Sequence, residues 1–503
     1  MQRGLGMRIF INFIFTLFLG LCVLPEFVNG IAPEQEPLIQ RADFTYIGAF
    51  SMSTAEIGTS RFGYSGAAVT YYKDPSTGKH TLFMEGHNWY PGNVAQIEVP
   101  PDSMLVKTTT YSSMHRATVL QAFADVTDGH IQTDIGYMSR LYGMLPYNGR
   151  LIVTAASFYD GACAQVNSHG VSGFNLSLDN DFQGFFAMDA VANPRSVAAH
   201  MTTIPLEWQP LLGGPALSGG QALSILSCST GGPAATVFDP DDVGVRDTIP
   251  GTTVVFYPND HKLEDCQIGD TCDLFNWSSV FCGIAFPPGS RSVLFFGSHG
   301  IGEFCYDHPP EIVCYDPVLG GKGSHAYPYV HRIWAYDAND LLQVKNGAKQ
   351  CWEIRPYGVW TMDEMCSDGS CTMTGAGYDP ETGRLYITDR QAEEPHVHVY
   401  QIAVPGNSRI ARAVVSGANA VMSVLPNPFN PRTRISVSGI GADNTCEMSI
   451  YGFNGTLIEK RVANGAQLAH GIMWNAEHRP SGIYIVKVAL QGKTMTKQVF
   501  LLK

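Results

Sequence analysis

The sequence is poor in charged residues and, beyond its first thirty positions, has no long apolar run. Asp, Glu, Lys and Arg make up only 15% of the 503 residues, whereas hydrophobic residues make up 45%. No segment after residue 30 approaches the ~18 consecutive apolar residues that a membrane-spanning helix needs. We therefore expect no membrane span in the mature chain.

Basic charge is also scarce, because 32 Lys and Arg stand against 45 Asp and Glu and leave a net charge of −13. A protein that binds nucleic acid uses a basic surface to neutralise phosphates, so we expect no nucleic-acid partner. The sequence also contains no G-x-S-x-G, H-E-x-x-H, Walker or dinucleotide-binding motif. Serine-hydrolase, metalloprotease and nucleotide chemistry therefore have no support.

The first thirty residues have the pattern of a targeting segment. Arg3 and Arg8 provide positive charge, the apolar stretch 9–24 follows, and Val28-Asn29-Gly30 fits a cleavage site. This order of charge, apolar core and small residues is typical of a secretory signal peptide. We predict a signal peptide at 1–30, with a membrane anchor as the alternative.

Twelve cysteines are present, and three pairs are close in sequence. These pairs are Cys266 with Cys272, Cys305 with Cys314, and Cys366 with Cys371. In an exported chain such pairs are typical of disulfides that staple loops. Zinc binding is the alternative, but the pairs lack the C-x₂-C spacing of zinc ribbons.

A hairpin unit recurs along the body, which is rich in glycine and proline. In the clearest copy a strand runs into the turn 379–383 (DPETG) and a second strand follows at once, and 74–78 (DPSTG) repeats the turn. Asp-Pro starts such a turn, and Gly supplies its positive φ. The second strands are predicted to begin near residues 82, 151, 223, 294 and 385.

Sheet units that repeat without helices between them are typical of propeller blades. The sequence therefore predicts an all-β fold in which residues 31–405 form a β-propeller. Five blades are favoured, and six or seven also fit because the last interval is the longest. A multi-sheet β-sandwich is the alternative.

The hairpin resembles the blades of NHL-type and gluconolactonase-type propellers. In those blades a G-x-A-x-D-P-x-x-G-x-L-Y-V pattern forms the two inner strands, and residues 375–387 (GAGYDPETGRLYI) are similar to it. The stretch 323–341 is also similar to one found in secreted bacterial proteins of no known activity. The resemblance implies a propeller and brings no activity with it.

After a linker at 406–419, residues 420–503 have a different sequence pattern. It opens with NPFNP-x-T at 427–433, has I-Y-G-x-N-G-x-L at 450–457, and continues with S-G-I-Y-x-V-K-V at 481–488. This segment resembles the type A sorting domain of the type IX secretion system. The resemblance implies a small Ig-like β-sandwich, the type IX secretion machinery as partner, and a protein secreted or attached to the outer cell surface. A generic adhesive Ig-like module is the alternative.

The ends of the second strands are expected to share one rim of the propeller's channel, where ligands usually bind. Alignment of the strands places His87, His299 and Arg390 at equivalent positions. A neutral histidine can act as a base, and arginine can hold a carboxylate. The predicted catalytic residues are His87, His299, Tyr159 and Arg390.

Aromatic side chains near this rim could stack on sugar rings. The predicted substrate-binding residues are Trp89, Tyr90, Phe158, His325, Tyr327 and His331. The alternative is that the histidines are structural, because repeats copy structural residues too. His396 and His398 lie on one predicted strand, and we expect one of them to pack and the other to face solvent.

A metal is not fixed by the sequence, and calcium or zinc are the cofactors considered. The aspartates at 239, 241, 242 and 247 could form a calcium loop, but they lack the D-x-D-x-D-G spacing.

The favoured function is a secreted glycan-active propeller that cleaves a uronate-containing polysaccharide by His/Tyr-assisted β-elimination. This reaction needs a base and a cation that neutralises the carboxylate. One alternative is a non-catalytic propeller that binds a polysaccharide or cell-surface glycan, and another is a metal-dependent lactonase or phosphoesterase. A glycosidase would need a carboxylate pair, for which Glu85, Asp160 and Asp389 are the candidates.

Overall fold

A computed structural model describes most of the chain. The described residues are 31–65, 67–108, 110–136, 138–220, 229–308, 313–362, 364, 372–389, 393–405, 421–425, 427–438, 445–452, 456–464, 467–468, 471–490 and 493–503. The predicted signal peptide, the linker, Arg390, Cys366 and Cys371 lie outside them. In the described part the fold is all-β, and no helix there is long and apolar enough to span a membrane.

The body contains twenty-two strands in its described residues. They are β1 (Phe44–Ser51), β2 (Val69–Lys73), β3 (His80–Glu85), β4 (Asn93–Glu98), β5 (Val119–Asp125), β6 (Ser139–Tyr147), β7 (Arg150–Ser157), β8 (Asn167–Ser172), β9 (Phe185–Asp189), β10 (Met201–Thr203), β11 (Ala216–Gly220), β12 (Ala234–Phe238), β13 (Thr248–Val255), β14 (Val280–Ala285), β15 (Ser292–Gly300), β16 (Cys305–Asp307), β17 (Gly323–His325), β18 (Tyr329–Asp337), β19 (Gly358–Met362), β20 (Met373–Asp379), β21 (Arg384–Asp389) and β22 (His396–Ile402).

Helices are few and short in the described part. The α-helices are α1 (Gln209–Leu212) and α2 (Ala338–Lys345). Single 3-10 turns lie at Pro33–Gln35, Arg41–Asp43, Asp102–Met104, Tyr111–Ser113, Pro194–Ser196 and Pro240–Asp242, and a π-helical turn lies at Ile131–Ile135.

Apart from β16 and β17, which pair only with each other, these strands form antiparallel sheets of four, which we number I to V. Sheet I is β2-β3-β4-β5, sheet IV is β14-β15-β18-β19, and sheet V is β20-β21-β22-β1. Sheets II (β6 to β9) and III (β10 to β13) are joined into one eight-stranded sheet by a short parallel pairing of β13 with β9. In sheet V the outer strand β1 comes from the start of the body, so residues 44–51 pair with residues 396–402.

The first strands of the five sheets are neighbours in a ring. Strand β2 contacts β6 and β20, β14 contacts β20 and β10, and β10 contacts β6. A cavity of about 240 Å³ lies among them. Each of the five strands contributes to its lining, for example through Tyr71, Leu145, Thr202, Ile284 and Gly377.

The hydrophobic core lies between neighbouring sheets. Between sheets IV and V, for instance, Phe296 and Ile333 pack with Leu385 and Ile387, all fully buried. Four further clusters fill the other contacts between sheets I and II, II and III, III and IV, and V and I. Strands buried on both faces explain why the sequence reads as apolar runs without clean alternation.

The predicted turn chemistry is present in two hairpins. Asp74 Oδ1 accepts the backbone N–H of Ser76 at 2.8 Å, and Asp379 Oδ1 accepts that of Glu381 at 2.9 Å. Gly78 and Gly383 both have φ 72°. The aspartate and the glycine therefore fix the β2-β3 and β20-β21 turns in the same way.

The third hairpin differs from the sequence prediction. Its second strand, β11, begins at Ala216 and not near residue 223, and 221–228 lie outside the described residues. Gly219 and Gly220 are the last residues of β11. A Cβ at Gly220 would lie 2.5 Å from Ser196 Cα. Glycine here permits the close approach of two backbones.

The tail is a two-sheet sandwich in its described residues. Its strands are β23 (Val421–Leu425), β24 (Arg432–Ser438), β25 (Thr445–Gly452), β26 (Leu457–Asn464), β27 (Ile472–Asn475), β28 (Gly482–Leu490) and β29 (Lys493–Leu501). The sheet β23-β24-β27 and the sheet β26-β25-β28-β29 share one core, in which Trp474, Ile450 and Val486 are buried.

Two of the predicted disulfides are confirmed. Cys266 is bonded to Cys272, and Cys305 is bonded to Cys314. Cys282 and Cys351 are buried thiols outside these disulfides.

Candidate functional site

His87 follows β3 and is buried among exposed aromatic side chains. Its Nδ1 accepts the backbone N–H of Trp89 at 3.0 Å. In the neutral ring the proton is therefore on Nε2. Burial, together with Arg61, lowers the pKa of His87. At neutral pH the Nε2–H group is the hydrogen-bond donor that this ring offers to a ligand. The lone pair of Nδ1 already accepts the Trp89 N–H.

Three aromatic rings surround His87. The ring centroids of Tyr64, Trp89 and Tyr90 lie 5.4, 5.2 and 5.8 Å from that of His87. Trp89 is 82% exposed, and both tyrosines are also exposed. We call Tyr64, Trp89 and Tyr90 the aromatic rim. Solvent-exposed aromatic faces grouped in this way are suited to stacking against a ligand.

Phe158 and Tyr159 are exposed aromatic residues that follow β7 in sheet II. The Arg140 guanidinium lies 4.6 Å from the centroid of Phe158. Sheets I and II meet here, because the backbone N–H of Leu141 donates to Glu85 Oε1 at 3.1 Å. Burial raises the pKa of Glu85 to about 8, although the Leu141 N–H and Arg140 act in the opposite direction.

A second arginine acts on the same tyrosine as Arg140. Burial raises the pKa of Tyr142, although the charges of Arg140 and Arg195 act in the opposite direction. Arg195 is buried, and its Nε and Nη1 have no hydrogen-bond partner in the described part of the chain. Sequence reasoning missed Arg195, because only the packing of sheet III against sheet II brings it to Tyr142.

The predicted carboxylate Asp160 caps a loop. Its two oxygens accept the backbone N–H groups of Ala164 at 2.8 Å and Gln165 at 2.9 Å. The aspartates considered for calcium are similarly engaged, since Asp241 pairs with Arg150 at 2.7 Å and Asp242 with Arg246 at 2.6 Å. These pairings favour a structural role for both groups.

His299 lies inside sheet IV with both ring nitrogens engaged. Nδ1 lies 2.9 Å from the Ser279 hydroxyl, and Nε2 donates to the Cys272 carbonyl at 2.8 Å. Burial lowers the pKa of His299 to about 4. The ring holds a loop against β15, and this geometry leaves it no free nitrogen for a substrate. Arg390, the other predicted partner, lies outside the described residues.

His325 is the last residue of β17, and Tyr327 follows it in the loop that precedes β18. His325 Nδ1 lies 2.8 Å from Asp316 Oδ2, and its Nε2 donates to the Gly321 carbonyl at 3.0 Å. The Tyr327 ring packs edge-on against Tyr329. His325 is therefore occupied within its own loop.

His331 lies in a buried cluster with residues of sheet V. Its Nε2 is 3.0 Å from Asp389 Oδ1, while Asp389 Oδ2 is 3.5 Å from His398 Nε2. His396 Nε2 lies 2.9 Å from His398 Nε2. The polar ligand atoms of Asp389, His396 and His398 all lie within 4.8 Å of one another.

The expectation that one of His396 and His398 would face solvent is wrong. Both side chains are buried and lie on the same face of β22. Residues two apart on a strand point to the same side, so the His-x-His spacing was the signal that could have located this cluster.

Comparison with known proteins gives one result for the body and another for the tail. None of the curated proteins matches the chain in sequence. Solved structures include Raptor from Chaetomium thermophilum (10% identity, TM-score 0.28), which covers 72% of this chain while the chain spans 30% of Raptor.

Two further solved structures resemble the chain distantly. A fungal alcohol oxidase of the AA5 family in complex with copper is 11% identical, has a TM-score of 0.26, and covers 90% of this chain and 100% of its own. A glycoside hydrolase of family 32 from Bifidobacterium adolescentis is 9% identical, has a TM-score of 0.30, and covers 89% of this chain and 78% of its own. Likeness at this level carries no argument about activity.

The tail gives a specific match. Residues 423–501 match the family model described as a secretion system C-terminal sorting domain. This confirms the sorting domain inferred from residues 427–488 and indicates a secreted protein that engages the type IX secretion machinery through its tail.

Proposed function

We propose that the protein is a five-bladed β-propeller, exported by the type IX route, which binds a glycan at the aromatic rim. The ring of first strands and the five clusters of buried side chains between sheets support the blade count. The pairing of β1 with β22 would close the ring, because it joins the two ends of the body within one blade. The sorting domain would leave the body released or attached to the outer cell surface.

The exposure of Trp89 is the observation that carries the binding proposal. Its indole is 82% exposed and is held near Tyr90 and Tyr64 around a buried histidine. A large exposed aromatic face costs stability unless it serves an interaction, and sugar rings stack on such faces. The neutral His87 ring would add a hydrogen-bond donor beside the stacked sugar.

Arg140 and Arg195 favour an acidic glycan over a neutral one. Both cations act on Tyr142, and the Arg140 guanidinium also lies over the Phe158 ring. A guanidinium with unpaired N–H groups is suited to a carboxylate, which accepts two parallel hydrogen bonds. The ligand class is therefore a uronate-containing polysaccharide.

Cleavage by β-elimination is a second candidate, supported by the two arginine charges that act on Tyr142. In this reaction a base removes the proton beside the uronate carboxyl, the neighbouring carbon–oxygen bond breaks, and the leaving oxygen takes up a proton. The cations would stabilise the charge that develops on the carboxylate. His87 is less suited as the base, because its Nδ1 lone pair accepts the Trp89 N–H.

Binding and cleavage are tested together. The exported chain is titrated with uronate and neutral polysaccharides while tryptophan fluorescence and the ultraviolet absorbance of unsaturated uronate are recorded. We expect affinity for the uronate polymer to fall about tenfold or more in Trp89→Ala, since a stacked ring contributes ~1–3 kcal/mol. Leu206→Ala, which removes an equally exposed side chain (80%), is the control.

Equal affinity in Trp89→Ala and the parent chain would contradict the binding site. Binding without any rise in absorbance would leave the glycan-binding function and remove the elimination reaction. Preference for a neutral polymer would show that the arginines do not select the ligand.

A further inference from the structure

We propose that Asp389, His396 and His398 form a binding site for a divalent transition-metal ion of the zinc type, with His331 as the positioning residue for Asp389. The site lies where β18 of sheet IV meets β21 and β22 of sheet V. It is separate from the aromatic rim and does not depend on the proposed glycan binding.

The backbone brings the three ligands together. Thr388 pairs with Val397 across β21 and β22, so Asp389 and His396 follow at adjacent positions of the ladder. His398 is two residues further along β22 and therefore on the same face. The two Nε2 atoms are 2.9 Å apart, and Asp389 Oδ2 lies 3.5 Å from that of His398. An ion held ~2.0–2.1 Å from each nitrogen would fit with small side-chain rotations.

The hydrogen bonds on the far side of both rings prepare the Nε2 atoms as ligands. His396 Nδ1 lies 2.8 Å from the Glu394 carbonyl, which can only accept, so Nδ1 carries the proton and Nε2 a lone pair. His398 Nδ1 lies 3.0 Å from the Tyr46 hydroxyl. Metal-binding histidines are oriented by such partners on their other nitrogen.

Two Nε2 lone pairs that face each other at 2.9 Å require a cation or a proton between them. A shared proton is the competing arrangement, with His398 donating to His396. The Asp389 carboxylate favours a metal, because it adds an anionic ligand to the same point. Two imidazoles and one carboxylate suit zinc and related ions, whereas calcium and magnesium prefer oxygen ligands.

His331 faces the other oxygen of the same carboxylate. Its Nε2 is 3.0 Å from Asp389 Oδ1, which leaves Oδ2 directed to the histidines of β22. Beyond His398, a cleft of about 730 Å³ is lined by Tyr46, Lys107 and Glu364 among others. This cleft provides a route from solvent to the cluster, and three protein ligands leave a coordination position for water.

The test measures zinc bound to the full exported chain after removal of metal with EDTA. Calorimetric titration with zinc chloride and elemental analysis should give about one zinc per chain, and zinc should raise Tm. His398→Ala and His396→Gln should weaken zinc binding ~100-fold or more and abolish the rise in Tm. His130→Ala removes an exposed histidine that also faces an aspartate, Asp134, and should keep the full stoichiometry.

His331→Ala should weaken zinc binding ~10- to 100-fold without changing the stoichiometry, and His331→Gln should restore part of the affinity. A purely structural histidine would lower Tm in both variants and leave the affinity unchanged.

Circular dichroism identifies the variants that remain folded. Because His396→Gln keeps a polar side chain of similar size, it serves where the alanine variant fails to fold. A folded parent chain that binds no zinc would overturn the proposal and indicate a shared proton. Equal binding by the parent chain and folded His396→Gln would overturn it as well.

Discussion

His331 and Asp389 lie 3.0 Å apart, Nε2 to Oδ1, with the histidine fully buried and the aspartate nearly so. They belong to different sheets, and 58 positions separate them in the sequence. Burial acts to raise the pKa of the Asp389 carboxyl, but His331 and His398 outweigh it and hold that pKa well below its usual range. The carboxylate is therefore charged in the folded protein and bound to the histidines around it.

The first prediction concerns this carboxylate. Asp389→Ala should lower the free energy of unfolding by about 3–5 kcal/mol, because it leaves buried histidines without their anionic partner. Urea denaturation in EDTA, which excludes any metal contribution, measures the change. Asp134→Ala removes an exposed partner of His130 and should cost at most ~1 kcal/mol. Equal losses in the two variants would show that Asp389 does not stabilise the fold.

The second prediction concerns Glu85. Burial raises its pKa from 4.5 to about 8, so between these values the unfolded chain is ionised at Glu85 while the folded chain is not. The contribution of this group to stability is full below pH 4.5 and is lost as the pH rises through 8. Glu85→Gln keeps an acceptor for the Leu141 N–H and should be more stable than the parent above pH 8.

Urea midpoints at pH 5 and pH 9 measure this effect. The stability advantage of Glu85→Gln over the parent chain should shrink towards pH 5. Glu98→Gln, at an exposed residue paired with Lys79, is the control and should show no such trend. A constant difference between Glu85→Gln and the parent at both pH values would contradict the raised pKa.

The third prediction concerns acid unfolding. Burial lowers the pKa of His169 and His200 to about 3 and that of His299 to about 4, from 6.5. As the pH falls below 6.5, the unfolded chain takes up protons that the folded chain excludes, so stability is lost by up to ~1.4 kcal/mol per pH unit for each histidine. Unfolding free energies from pH 7 to pH 5 measure the slope.

His299→Gln should reduce the proton uptake on unfolding, and with it the slope of the unfolding free energy, by the contribution of about one proton. His130→Gln, at an exposed position, should leave it unchanged. A parent chain whose stability is flat between pH 7 and pH 5 would contradict the prediction.

The fourth prediction concerns the close approach of β11 to its neighbours. Gly220→Ala would place a Cβ 2.5 Å from Ser196 Cα, whereas Gly78 has nothing within 4 Å of an added Cβ. Gly220→Ala should therefore lower the free energy of unfolding by about 1–3 kcal/mol or more, because the backbone must move. Gly78→Ala should cost only about 1 kcal/mol, from its positive φ. Thermal unfolding of both variants compares them, and a smaller loss for Gly220→Ala would contradict the assigned packing.

Local patterns sufficed for much of the fold. The DPSTG and DPETG turns, the two confirmed cysteine pairs and each single motif of the tail lie within a short segment, so short-range chemistry specifies them. The third hairpin was misplaced because Gly220 allows a close approach to Ser196, 24 positions earlier, and no local pattern in the sequence records that contact.

The candidate sites divide in the same way. The sequence by itself determined the strand-rich class, the aromatic residues that follow β3 and β7, and the sorting domain, because turn propensity and side-chain type are properties of short segments. Only the tertiary structure decided that both nitrogens of His299 are engaged, that Arg195 reaches Tyr142, and that His331 meets Asp389. These contacts join segments that are far apart in the chain, and such long-range packing leaves no fixed spacing in the sequence.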